Sequence, residues 1–400
     1  MKRIITVISI VILSLSVVIS GQAQEDVQTY VLGVALPFTG ALGEFGVDFG
    51  RGVDLAVSQM NTELEAAGVP VRFETASADT EGTPDGAARA VQTVVQTTGA
   101  QVVVGPLTTS EVLGAKQFAD ENDVVIVAPA SSGPAGAIPG DNIFRVMYPP
   151  DTFAGNAFAQ IAMARGYQNV VVLYVDDPFG NGLFTIFSDE FQKAGGSTVT
   201  GISYAPDPTD LSSEAARVST EISSLGDNTA FFCICFLGDV QKLLQVAIVD
   251  PVLGSVDWMG VENLTNAELL ADPAFAEFLA GTNLISVSAS ATSTPLTQEF
   301  TDSFVAMYGS EPGPFTNYAF DAANIAMLSM LATDNSGAGV KSILPFIADH
   351  YIGTAVQTYL DANGDQAIAN YGIYQISEDG SEFVVVGSYD GSTGVVEFNN

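Results

Sequence analysis

Short, continuously apolar runs recur along this chain, and most are followed by a stretch whose apolar positions return every three or four residues. Gln28 to Leu36 alternates and then becomes continuously apolar, which predicts a first strand. After Pro37-Phe38-Thr39-Gly40, Val53, Ala56, Val57 and Met60 share one side of a predicted helix. A strand over residues 71–77, a helix over 87–97 and the strand Val102-Val103-Val104 follow. Such short runs without alternation fit strands buried on both faces, as in a parallel sheet. A helix opening at Glu111 and a strand over 124–129 extend the series.

Pro149-Pro150-Asp151 breaks the pattern, which then starts afresh. Helices are predicted over 152–166, to about 194, and over 214–224 and 239–248, with another around Ala274, Phe275 and Phe278. Strands are predicted at 169–177, 198–204, 230–236 and 256–260. Leu284 to Ser290 begins a third segment with helices over 298–308, 317–331 and 341–350. The tail reads as strands over 371–376, 382–389 and 394–398, joined by Gly-rich turns. Strands alternating with helices through two halves imply an α/β fold with mostly parallel sheets.

The first residues follow another logic. Lys2-Arg3 precedes an apolar core from Ile4 to Ile19, and Ser20-Gly21-Gln22-Ala23 ends in small residues. That order predicts a signal peptide over 1–23, with an uncleaved anchor as the alternative. No Cys follows the apolar core, so a lipid anchor is not expected. Without Lys2 and Arg3, the 12 basic residues become ten against 46 acidic, a net charge near −36. Nucleic acid and anionic membrane surfaces are therefore poor partners. With 47% hydrophobic and 14% charged residues, the composition is that of a folded chain.

Chemistry-bearing residues are few. Cys233 and Cys235 stand two apart in FFCICF and read as small buried hydrophobes rather than a redox or metal pair. With His350 the only histidine, a zinc site or a Cys–His dyad has little to draw on, and neither metal nor cofactor is expected. Asp361-Ala362-Asn363-Gly364-Asp365 begins like a calcium loop. Gln366 and Gly372 stand where such a loop needs Gly and Glu, so a plain turn is expected. Asn263-Leu264-Thr265 fits a glycosylation sequon.

The richest stretch is QVVVGPLTTSEVLGAK, residues 101–116. Thr108, Thr109 and Ser110 supply three hydroxyls where a helix begins beyond a buried strand. Such a turn can cradle a small carboxylate on free backbone N–H groups, or it can simply cap the helix. From these residues alone both readings stand.

The opening LPFTGALGEFGVDFGRGVDLAVSQMN resembles the first motif of the branched-chain amino acid binding proteins of ABC transporters. The resemblance continues through VVVGPLTTS, VIVAPASSGP, FRVMYPPDTFAG, YVDDPFGNG, WMGVEN, YAFDAANIAM and DANGDQAIANYGIYQI. It implies a type I periplasmic binding protein fold: two doubly wound lobes joined by three hinge crossings, with ligand between them. The implied division is 24–147 plus 285–366 for lobe 1 and 148–284 plus 367–400 for lobe 2. Carried over position by position, it implies that Thr109, with Thr108 or Ser110, binds a ligand carboxylate. Ala130, Ser131 and Ser132 would help hold both ends of an amino acid, and Glu262 its ammonium. Phe45, Phe179 and Phe236 would surround the side chain. Phe179 and Phe236 replace Tyr residues frequent in the family, which removes two hydroxyls.

The chemistry of those residues is consistent with that implication. Hydroxyls and N–H groups suit a carboxylate, and one acid suits an ammonium. Three Phe side chains favour an aliphatic or aromatic remainder. The expected protein is an exported, monomeric solute-binding protein, in the periplasm or outside the cell. It would capture an apolar amino acid and deliver it to a membrane permease. The alternatives are the same fold binding an amide, urea or an aromatic acid, a receptor's sensing domain, and an enzyme. Against the enzyme, no G-x-G-x-x-G follows the first strand and no P-loop is present.

Overall fold

The computed structural model describes residues 26–289, 295–354, 357–377 and 379–399. The segment 1–23 expected as a signal peptide lies outside them. Among the described residues no helix is long and apolar enough to cross a membrane.

Strands β1 (Gln28–Leu36), β2 (Val71–Asp79), β3 (Val102–Val104), β4 (Val125–Ala128) and β5 (Ile143–Arg145) form a five-stranded parallel sheet in the order β2-β1-β3-β4-β5. Helices α1 (Gly43–Ala67), α2 (Pro84–Thr98) and α3 (Thr109–Glu121) connect its strands. The apolar runs are buried on both faces, as their lack of alternation predicts. Ala35, Val103 and Ile126 join a small core with α2 and α3. Their neighbours Val34, Val104 and Val127 join the main core instead.

The second sheet has eight strands, ordered β13-β12-β11-β10-β9-β8-β6-β7. Its members are β6 (Asn169–Val175), β7 (Thr198–Tyr204), β8 (Thr229–Ile234), β9 (Asp257–Gly260), β10 (Ile285–Ala289), β11 (Asn370–Ile376), β12 (Phe383–Asp390) and β13 (Val395–Phe398). The strands from β7 to β10 run parallel, and the three tail strands add antiparallel. Helices α4 (Asp151–Ala164), α5 (Pro178–Lys193), α6 (Ser212–Leu225), α7 (Leu237–Ala247) and α8 (Pro273–Gly281) belong with this sheet. Helices α9 (Pro295–Tyr308), α10 (Thr316–Leu331) and α11 (Gly337–His350) return to the first sheet, where α10 packs along α1.

Two expectations are corrected here. The resemblance implies a place in the first lobe for the segment from 285, but β10 pairs with β9 and β11 inside the second sheet. The return crossing therefore falls after Ala289. Cys233 and Cys235 are fully buried, as expected of small hydrophobes, but a disulfide joins them. Two cysteines at spacing two can bridge only where the strand bends out of its extended form. Here Cys235 lies one residue beyond the end of β8, and the two Cα atoms are 5.6 Å apart.

The first and third crossings meet at a buried ion pair. Arg145, at the end of β5, donates from Nε to Asp365 Oδ1 at 2.6 Å and from Nη2 to Oδ2 at 2.5 Å. Its Nη1 donates to the Gly133 carbonyl at 2.6 Å. Asp365 ends the stretch with the calcium-loop start. That stretch is a turn: Asp361 Oδ1 accepts from the backbone N–H groups of Asn363 and Asp365.

Candidate functional site

In open α/β sheets ligands bind beyond the carboxyl ends of the strands, where the strand order reverses. Both sheets have such a point, between β1 and β3 in the first and between β6 and β8 in the second. Phe45, Thr109 and Ala130 follow β1, β3 and β4. Phe179, Phe236 and Glu262 follow β6, β8 and β9. The two sets face each other across one cavity of about 90 Å³, large enough for several waters or a small organic molecule.

Eight of the nine residues singled out in the sequence line that cavity: Phe45, Thr108, Thr109, Ala130, Ser132, Phe179, Phe236 and Glu262. Ser131 stands behind the wall, its Oγ 3.1 Å from Thr109 Oγ1. The wall also includes Leu42, Phe49, Leu107, Tyr148, Asn263 and Phe315, none of which the sequence had marked as site residues. Phe315 carried one signal, its place after Gly-Pro just before a long helix. It holds a left-handed backbone, φ +61°, a conformation non-Gly residues seldom adopt. The sequence marks Asn263 only as part of a sequon. Its side-chain amide donates to the Cys235 carbonyl at 3.0 Å.

The Thr-Thr-Ser turn divides its work. Thr108 is the N-cap of α3 in a full capping box with Glu111. Its Oγ1 accepts from the Glu111 N–H at 3.3 Å and its own N–H donates to Glu111 Oε2 at 2.8 Å, so here the plain capping role holds. Glu111 is fully buried, and burial raises its pKa against the hydrogen bonds from Thr80 and Thr108. Thr109 and Ser110, the first two helical residues, have backbone N–H groups with no carbonyl to bond inside the helix. Thr109 Oγ1 also accepts from the Gly133 N–H at 2.9 Å, which fixes the Ser131-Ser132-Gly133 loop against α3. Gly105 makes this turn possible. With φ at +95°, a Cβ there would lie 2.1 Å from the Ala35 carbonyl oxygen.

The remaining wall is aromatic and acidic. The Phe179 and Phe236 rings lie 5.5 Å apart, and Tyr148 packs edge-on against Phe315 at 5.7 Å. Asp177 caps α5 through the Gly180 N–H at 2.8 Å, which places Phe179 at the cavity. Glu262 opens a 3-10 turn after β9, braced by the Thr265 hydroxyl on its carbonyl at 2.7 Å. Burial raises the Glu262 pKa, and the neighbouring Tyr148 hydroxyl lowers it in part. Among the described residues no Lys or Arg pairs with Glu262; Arg145 is committed to Asp365. Among the same residues no group of three or more His, Cys, Asp or Glu could hold a metal ion.

Residues 29–381 match a family model described as periplasmic binding protein. The chain is 26% identical over 215 residues to the Leu/Ile/Val-binding protein homolog 3 of Brucella melitensis, covering 53% of this chain and 56% of that protein. The fold is similar to the leucine binding protein LivK of Thermotoga maritima, with a TM-score of 0.74, 20% identity, and 93% and 98% of the two chains covered. It is equally similar to a solute binding protein of an R. palustris ABC transporter in complex with benzoate. That TM-score is also 0.74, with 21% identity and 90% and 96% coverage.

Proposed function

The chain belongs to the periplasmic binding protein family, and on that premise we propose that it captures a free amino acid between two lobes for an ABC importer. The family and its structural neighbours are solute-binding proteins, not enzymes. In this reading the Thr109 and Ser110 N–H groups, with the Ser132 hydroxyl, take the ligand carboxylate. Phe45, Phe179 and Phe236 enclose an apolar side chain, and Glu262 takes the ammonium. One observation carries the reading: a carboxylate in the cavity has no Lys or Arg beside it among the described residues. A charge withdrawn from water needs a partner, and an amino acid brings one.

The lobes of this reading are the first sheet with α1–α3 and α9–α11, and the second sheet with α4–α8. Ligand joins groups from both, and the closed form is what a membrane permease would meet. Delivery outside the cytoplasm, as a monomer, belongs to the same proposal.

A thermal-shift panel of aliphatic, aromatic, polar and acidic amino acids, with urea, short amides and benzoate, tests it. A ligand that binds only the native state raises Tm. Leu, Ile, Val or Phe should raise it. Glu262→Gln should then weaken the binding of that amino acid more than tenfold, about 1.4 kcal/mol. A rise with benzoate alone, indifferent to Glu262→Gln, would replace the amino acid by an aromatic acid.

A further inference from the structure

A second cavity, of about 240 Å³, adjoins the first. Phe45, Glu262, Asn263 and Phe315 line both and form the boundary between them. Beyond that boundary the lining turns polar. Ser288 comes from β10 and Tyr374 from β11 of the second sheet, and Asn317 and Tyr318 from α10, which packs with the first. The side-chain polar groups of these four make no hydrogen bond to another described residue. Burial raises the pKa of Tyr318 and of Tyr374, so both phenols keep their protons and can donate. Tyr318 is buried and Ser288, Asn317 and Tyr374 are half-buried around this cavity, and four polar side chains converging on one space fit a ligand with its own donors and acceptors. A free amino acid held in the smaller, phenyl-lined cavity offers them nothing.

We propose that the larger cavity is a second subsite and that the protein binds dipeptides with an apolar C-terminal residue. The inference rests on the carboxylate and ammonium roles proposed above. Such a dipeptide keeps the carboxylate and apolar side chain of its last residue and moves its ammonium outward by one residue, roughly 3.5 Å. Glu262 lines both cavities, so a carboxylate remains within reach of the displaced ammonium. The peptide bond adds one N–H and one C=O that must be paired once buried. The Asn317 amide can serve either, and the Ser288 and Tyr374 hydroxyls can serve the C=O.

Isothermal titration of the purified protein with Leu, with Ala-Leu and with Ala-leucinamide tests this. Ala-Leu should bind, and Ala-leucinamide, which lacks the carboxylate, should bind at least tenfold more weakly. Asn317→Ala should weaken Ala-Leu tenfold or more and leave Leu within about twofold. Tyr374→Phe, which removes a single hydroxyl, should show the same selectivity and serves if Asn317→Ala does not fold. Binding of Leu without Ala-Leu would overturn the second subsite and leave the amino acid reading intact. Equal losses for Leu and Ala-Leu would also overturn it. Binding of neither would overturn both.

Discussion

At the scale of single residues, two acids near the cavity have different tasks. Glu262 lines the cavity wall. Asp151 is the first residue of α4, and its Oδ2 is buried without a hydrogen-bond partner. Burial, and then the Glu262 charge, push its pKa up to about 8, against the Ser132 hydroxyl and Arg145; Asp177 adds to the rise. Unfolded, an Asp titrates near 3.9. Between those values the native state holds a proton that the unfolded state has lost. The stability this contributes is fully present below about pH 4 and is lost as pH rises toward about 8. Asp151→Asn is neutral throughout. Relative to the parent, it should gain stability across that window, by up to about 1.4 kcal/mol per pH unit. Urea midpoints of both proteins from pH 4 to 9 measure this, and parallel curves would mean that Asp151 does not hold the proton.

At the scale of elements, the cavity depends on a few joints. The Arg145–Asp365 pair ties the end of β5 to the approach to β11, and through Gly133 it reaches the loop that Thr109 holds. Both charges are buried. Removing one strands the other, at a cost of about 3–5 kcal/mol. Asp365→Ala should therefore lower the urea midpoint by that equivalent. The cap of α3 is a smaller joint. Thr108→Ala should cost about 1 kcal/mol, since one helix N–H and the Glu111 carboxylate each lose a partner. Equal losses for the two variants would mean that the Arg145–Asp365 pair is no more than a surface contact in its energetics.

At the scale of the molecule, the two halves touch beside the cavity. Helix α5 of the second half lies against the Gly133-Pro134 turn of the first. A Cβ on Gly182 would stand 2.4 Å from Pro134 Cδ, and one on Gly133 3.2 Å from the Pro178 carbonyl oxygen. Glycine inside a helix costs about 0.5–1 kcal/mol relative to alanine. Gly182→Ala should therefore hold the halves apart and weaken ligand binding several-fold, while the helix preference it gains keeps the fall in unliganded Tm small. Small-angle scattering with and without ligand, beside a Tm series, separates the two effects. A variant that binds and compacts like the parent would show that this contact does not limit closure.

The strands, the helices and their parallel order were legible in the sequence because short apolar runs and helical periodicity are local signals. Eight of the nine residues that the family resemblance marked stand at one cavity, since each follows a strand end that the pattern already located. Other features could not be read that way. The pairing of β10 with β11 joins residues some 85 apart, and no periodicity says which sheet a strand enters. The Cys233–Cys235 bridge depends on a bend at a strand end, which composition does not reveal. Arg145 and Asp365, 220 residues apart, read separately as a strand residue and part of a turn. Tyr148 and Phe315 became cavity walls only when distant segments packed together. The sequence by itself determined the elements and their succession, because those follow from neighbouring residues. The tertiary structure decided which charges are buried, which hydroxyls are already bonded and how the two cavities adjoin, because burial and pairing are set by the whole chain.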